Sequence, residues 1–203
     1  RELKTIHLIL WGAVAVGLIL FLWLNIFQDA SHLIEDGTSQ NTATTFIPTF
    51  SLTDHQGNVV TEQTYRGKWL LVFFGFTNCP DICPTTLADL ASVMEQLGAD
   101  AKAIKPLFIS VDPDRDQMET MAQYVSAFHP AIVGLTGTGS QITETAESFK
   151  AYFEKQPQES APDGYIMGHT SAVYLISPDG VFIRTYSYGM SPEEIVADLQ
   201  QKL

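Results

Sequence analysis

The sequence predicts an α/β domain, a mixed central sheet flanked by helices, preceded by one N-terminal transmembrane helix. Three observations carry this reading. Residues 6–27 form an apolar run of about 22 residues, uncharged unless His7 is protonated. From Phe46 onward, short apolar runs of strand character alternate with stretches of helical periodicity. The chain then ends on a hairpin signal followed by a helix-capping signal.

A run of that length spans a hydrocarbon core about 30 Å thick as a helix. A cleaved leader has a shorter apolar part and small residues at its cut site, and "FQDASHL" offers no such site. The run is therefore expected to stay as a single-pass anchor within residues 1–27. Arg1 and Lys4 precede it, and no Lys or Arg follows until Arg66. By the positive-inside rule the start lies in the cytoplasm, with the rest on the periplasmic side of a bacterial inner membrane. Residues 28–45, "QDASHLIEDGTSQNTATT", are polar and lack apolar period, as in a tether. The formal net charge of −12 sits almost wholly on the exported part and repels phosphate backbones, so no nucleic-acid partner is expected.

The domain, 46–203, is then read in order. "FSLTD" and "VVTEQ" flank "HQGN" as a hairpin. "WLLVFFGF" (69–76) is too short for a buried helix and reads as a buried strand. Leu87, Leu90, Ala91, Met94 and Leu97 recur at helical spacing. "PLFISV" (106–111) is a second buried strand, and Met118, Met121, Ala122, Val125 and Phe128 mark a second helix. "AIVGLT" (131–136) is a strand, with Ile142, Ala146, Phe149 and Phe153 marking a third helix. "QPQESAPDGYIMGH" reads as a loop ending at His169. "SAVYLISPDGVFIRTYS" (171–187) is two strands about a Pro-Asp-Gly turn. In "SPEEIVADLQQKL", Ser191 caps, Pro192 enters the first turn and Glu194 completes a capping box.

Chemistry concentrates in "FFGFTNCPDICPTTL", which holds both cysteines of the chain, Cys79 and Cys83. They follow a buried strand at a helix start, where working residues of such sheets gather. With "CPDICP" as the first helical turn, the two sulfurs share a face beside exposed N–H groups that favour thiolate. Three uses remain open. A structural disulfide would close too short a loop to remove much chain entropy. A redox dithiol fits the location, although such pairs usually have the spacing C-x-x-C. The wider spacing suits a metal held between the sulfurs.

A metal needs a further ligand. His32 falls in the tether, His55 in the hairpin turn, and His129 before Pro130 reads as a helix cap. His169 ends the long loop just before a strand, from which an imidazole reaches across to the helix start. Two thiolates and one imidazole favour Cu(I), while Zn(II) with an added water remains a competitor. Met167 is near enough in sequence to offer a thioether. Its ordinary reading, like that of Met118 and Met121, is packing.

The stretches "GKWLLVFFGFTNCPDICPTTL", "FISVDPDRDQMETMAQYVSAFHPAIVGLTGT" and "GHTSAVYLISPDG" resemble the SCO/SenC family of copper proteins that serve cytochrome c oxidase assembly. The likeness covers Phe46 to the C-terminus and the single anchor. It implies a thioredoxin-like fold and copper, Cu(I) and also Cu(II), bound by Cys79, Cys83 and His169. It implies a metallochaperone rather than an enzyme, delivering copper to the binuclear copper centre of oxidase subunit II. The same cysteines would supply an accessory thiol–disulfide activity. An upstream periplasmic copper carrier or a thioredoxin-like reductase would be a further partner. Asp112, Asp114, Arg115 and Asp116 would lie at another strand's carboxyl end near the metal, supporting the ligands, docking a partner, or capping a helix. Many members carry an acidic residue before the histidine, where this chain has Gly168, which leaves His169 less anchored. The rival readings are a periplasmic thiol–disulfide reductase acting on oxidase cysteines and a redox or copper sensor.

Overall fold

The apolar run at 69–76 becomes the middle of a sheet because its side chains are buried on both faces. In the computed structural model, which describes residues 20–21 and 46–203, Leu71, Val72 and Phe73 have no exposed surface. Burying each such side chain contributes roughly 1.5–3 kcal/mol. The expected tether at 28–45 and all of the expected span except Leu20 and Phe21 lie outside the described residues. Among the described residues no helix is long and apolar enough to cross a membrane.

The strands are β1 (Ser51–Asp54), β2 (Val59–Thr61), β3 (Trp69–Gly75), β4 (Ile104–Ser110), β5 (Val133–Thr136), β6 (Phe153–Pro157), β7 (Tyr165–His169), β8 (Val173–Ile176) and β9 (Phe182–Tyr186). The helices are α1 (Ile82–Leu97), α2 (Met118–Ser126), α3 (Gly139–Phe149) and α4 (Pro192–Gln200). Seven strands form one mixed sheet in the order β2-β1-β5-β4-β3-β8-β9, while β6 and β7 form a separate ladder. Strands β3, β4 and β5 run parallel, with α1 and α2 as their crossovers. Both crossovers step the same way, and right-handed connections then place both helices on one face.

Alternation along β3 sorts the two faces. Phe73 stacks on Phe108, which meets Tyr124 of α2. Phe74 points the other way, onto Phe149 of α3 at 5.3 Å and Tyr174 at 5.9 Å. Helix α4 packs on α1, and Gln96 donates to Glu193 at 3.0 Å across that contact. The expected capping box is present: the Ser191 hydroxyl accepts from the Glu194 N–H.

Four expectations are corrected. The segment read as a loop before His169 is largely the β6–β7 hairpin, whose residues pair from Phe153↔His169 to Pro157↔Tyr165. Phe153 therefore belongs to a strand, because Lys150 ends α3 in the left-handed conformation at φ 56°. Met118 opens α2 39 % exposed, and the helix buries only Met121 and Val125. Cys79 precedes α1 instead of sitting in its first turn, which begins at Ile82.

Candidate metal centre

The cysteine turn leaves the carboxyl end of β3, and the Asp112–Asp116 loop leaves the adjoining end of β4. Strand β8 pairs antiparallel with β3 in the register Val173↔Phe73. That register carries the residues just before Val173 to the same end of the sheet. His169 thereby meets cysteines 86 and 90 residues earlier in the chain. One ligand atom from each of Cys79, Cys83 and His169 lies within 4.8 Å of the others. Cys83 is buried, Cys79 and His169 are half-buried, and both cysteines are free thiols.

Local structure explains each side chain's aim. The Asp81 carboxylate does not cap α1. The Cys79 sulfur, turned back over the helix start, accepts from the Cys83 N–H at 3.4 Å. The Cys83 sulfur sits in a notch beside Gly75, where an added Cβ would lie 2.8 Å from it. The His169 ring stands edge-on to Phe73 and Phe76, at 5.9 and 5.8 Å. Its Nδ1 lies 3.0 Å from the Thr170 carbonyl, which can only accept, so Nδ1 carries the hydrogen. The Nε2 lone pair is left facing the Cys83 sulfur at 3.6 Å. An imidazole that donates one N–H to a carbonyl and aims the other nitrogen at thiols is set up as a ligand. This carbonyl supplies an anchor at the position where Gly168 brings no carboxylate.

The two sulfurs differ electrostatically. The Cys83 thiol as donor, then the backbone N–H groups at the helix start, hold Cys79 down to about 4 against the opposing effect of its burial. Cys83 is pushed well above an ordinary thiol by sharing its hydrogen with Cys79 and by burial. The pair thus holds one ready thiolate and one protonated partner.

The acidic run is divided by burial. Asp112 is 3 % exposed and Asp116 wholly buried, so neither offers a docking surface; Asp114 is exposed. Asp116 accepts from the Thr77 N–H at 3.0 Å, the Thr77 hydroxyl at 2.6 Å and the Ser110 hydroxyl at 2.6 Å. It thereby fixes the backbone two residues before Cys79. Asp112 and Arg115 reach instead to Tyr165 on β7, a partner that no local pattern singles out. The other histidines do different work: Nδ1 of His55 accepts from Gly134, and Nδ1 of His129 from Ala131, each at 3.1 Å. His32 lies outside the described residues. Met167 is buried in the core.

Comparison with known proteins shows the family of the chain. The SCO1/SenC family model matches residues 38–203. The bovine "Protein SCO2 homolog, mitochondrial" is 44 % identical over 156 residues, 76 % of this chain and 58 % of the relative. The chain thus spans less than two thirds of that relative's length. The structure of Bradyrhizobium japonicum ScoI with copper bound superposes at a TM-score of 0.72 and 40 % identity, covering 78 % of this chain and 99 % of that one. A third is BsSco, a member of the Sco family of cytochrome c oxidase assembly proteins in which a disulfide switch has been identified. It superposes at 0.61 with 28 % identity, covering 77 % and 92 %. With a thioredoxin-like α/β fold and a family match over most of its length, the chain belongs to the SCO1/SenC family.

Proposed function

We propose that this chain is a copper metallochaperone for cytochrome c oxidase assembly. It carries copper on Cys79, Cys83 and His169 and passes it to the binuclear copper centre of oxidase subunit II. The observation that carries the reading is the convergence of two thiol sulfurs and one imidazole nitrogen within 4.8 Å. Three soft or borderline donors suit Cu(I). Burial grades them for delivery: an acceptor's ligands approach past half-buried Cys79 and His169, while buried Cys83 holds last. Relatives solved with copper bound and the oxidase-assembly role of BsSco support the same reading. The apolar run at 6–27 and the polar stretch at 28–45 make the domain a tethered one at a bacterial inner membrane, facing the periplasm.

The test is a Cu(I) titration of the reduced chain, read by X-ray absorption. One copper with two sulfur neighbours and one imidazole is expected. His169→Ala should weaken binding sharply and keep the two sulfurs. Unchanged affinity in that variant refutes the site.

One observation favours thiol–disulfide chemistry as a second activity: two free cysteines sit side by side at a helix start, where the Cys79 sulfur accepts from the Cys83 N–H at 3.4 Å, a placement that favours thiolate. Attack by Cys79 on a substrate disulfide and resolution by Cys83 would leave the substrate with two thiols and this pair as a disulfide. The same step removes both sulfur donors, so copper carriage and reduction exclude each other at any moment.

A further inference from the structure

The histidine stands on an element that does not belong to the main sheet. Strands β6 and β7 pair only with each other, and an isolated two-stranded hairpin is at best marginally stable in water. Something in the body must hold it at the height where Nε2 reaches the sulfurs. Along β7, Tyr165, Met167 and His169 share one face. Met167 plugs into the core with 7 % exposure, His169 turns to the cysteines, and Tyr165, roughly 13 Å away along the strand, meets Arg115.

Around Arg115 the contacts interlock. Its guanidinium carbon lies 3.9 Å from the Tyr165 ring centroid and 5.8 Å from that of Phe76. Nη1 donates to the Tyr165 carbonyl at 3.4 Å, and Nε donates to Asp112 Oδ2 at 2.5 Å. The Tyr165 hydroxyl donates to the other oxygen, Asp112 Oδ1, at 2.9 Å. Lys155 of β6 adds a second cation 3.7 Å from the Tyr165 ring centroid and pairs with Asp114 at 3.6 Å. Four residues beyond Asp112, Asp116 fastens Thr77 of the cysteine turn. One short loop therefore holds both ligand-bearing segments. Phe76 touches the Arg115 guanidinium and the His169 ring alike.

We propose that Arg115, clamped between Asp112 and Tyr165, is a positioning residue that fixes the β6–β7 hairpin so that His169 completes the metal site. It touches no metal and acts only through the imidazole. This rests on the copper reading of Cys79, Cys83 and His169, and it predicts a specific failure. With the clamp opened, the cysteines still bind Cu(I) while the imidazole leaves the coordination shell.

A double-mutant cycle on the 203-residue chain tests it, with Cu(I) affinity measured against a chromogenic chelator under reducing conditions. Arg115→Met keeps an unbranched apolar stem and removes the guanidinium with its charge and donors. In the wild-type background it should lower affinity about 10–100-fold, as loss of a group that orients a ligand does. In the His169→Ala background it should change affinity less than about twofold, because the residue it acts through is gone. X-ray absorption of the Arg115→Met protein should lose imidazole scattering and keep two sulfurs. Equal losses in both backgrounds, or no loss in either, would overturn the proposal. Should Arg115→Met fail to fold, Tyr165→Phe retains the stacked ring and removes only the Asp112 bond. It should give a smaller loss, again absent without His169, and an equal loss there overturns the proposal too. If His169→Ala alone leaves affinity untouched, the copper site is refuted, an outcome separate from failure of the clamp.

Discussion

Gly75 at the end of β3 is the position where the fold and the site constrain each other most tightly. A Cβ added there would stand 2.7 Å from Phe108 Cε2, 2.8 Å from the Cys83 sulfur and 3.2 Å from Phe73 Cε1. Ordinary contact begins near 3.4 Å, so Gly75→Ala requires the Phe108 ring to withdraw by about 0.7 Å and the sulfur by about 0.6 Å. Neither can do so freely. Phe108, Phe73 and Cys83 have no exposed surface, and Phe108 is already stacked on Phe73 and set against Tyr124. Overpacking of this kind costs about 1–3 kcal/mol, which for a domain of this size lowers the melting temperature by roughly 2–12 °C. The displacement at sulfur also exceeds the ~0.2 Å tolerance of metal–ligand distances, so copper affinity should fall along with stability. Thermal unfolding of the reduced protein by circular dichroism, with chelator competition for Cu(I), measures both. Gly139→Ala is the control, since a Cβ there meets nothing within 4 Å. A Gly75→Ala protein that melts within 1 °C of wild type and keeps its copper affinity would show that the close approach does not exist.

Two further outcomes follow from the titrating groups. With Cys79 held down to about 4 and Cys83 buried and raised, limiting iodoacetamide at pH 6 should modify Cys79 first. The rate should stay nearly flat from pH 6 to 8; a tenfold rise per unit, or modification of Cys83 first, speaks against the assigned thiolate. Burial raises the Asp116 carboxyl, so the folded state holds that proton more tightly than the unfolded chain does. Its contribution to stability is then fully present below the unfolded value, about 3.9, and is lost as pH rises through the raised folded value. Asp116→Asn removes this slope, and urea midpoints should show the variant gaining on wild type between pH 4 and 7. A difference that is constant across that range would contradict the burial argument.

What could be read from the chain is what depends on local composition. The buried strand at 69–76, the Pro-Asp-Gly hairpin and the Ser191 capping box each carry their signal within a few residues, and each forms as expected. The β6–β7 hairpin was illegible because only one of its strands faces the body. Glu154, Lys155 and Gln156 are exposed, so β6 shows no apolar alternation. Met118 misled for the converse reason: an apolar residue in the first turn of a helix fits the period without being covered.

The two cysteines, their place after a strand and the histidines available to join them were determined by the sequence, because residue type and spacing fix which donors exist. Their meeting was decided only by the tertiary structure. An antiparallel register between β3 and β8 returns the chain to the cysteine turn, and the half-buried Arg115 stacks on Tyr165 of the returning hairpin. Contacts across 86 residues depend on the packing of whole strands, and no local pattern encodes them.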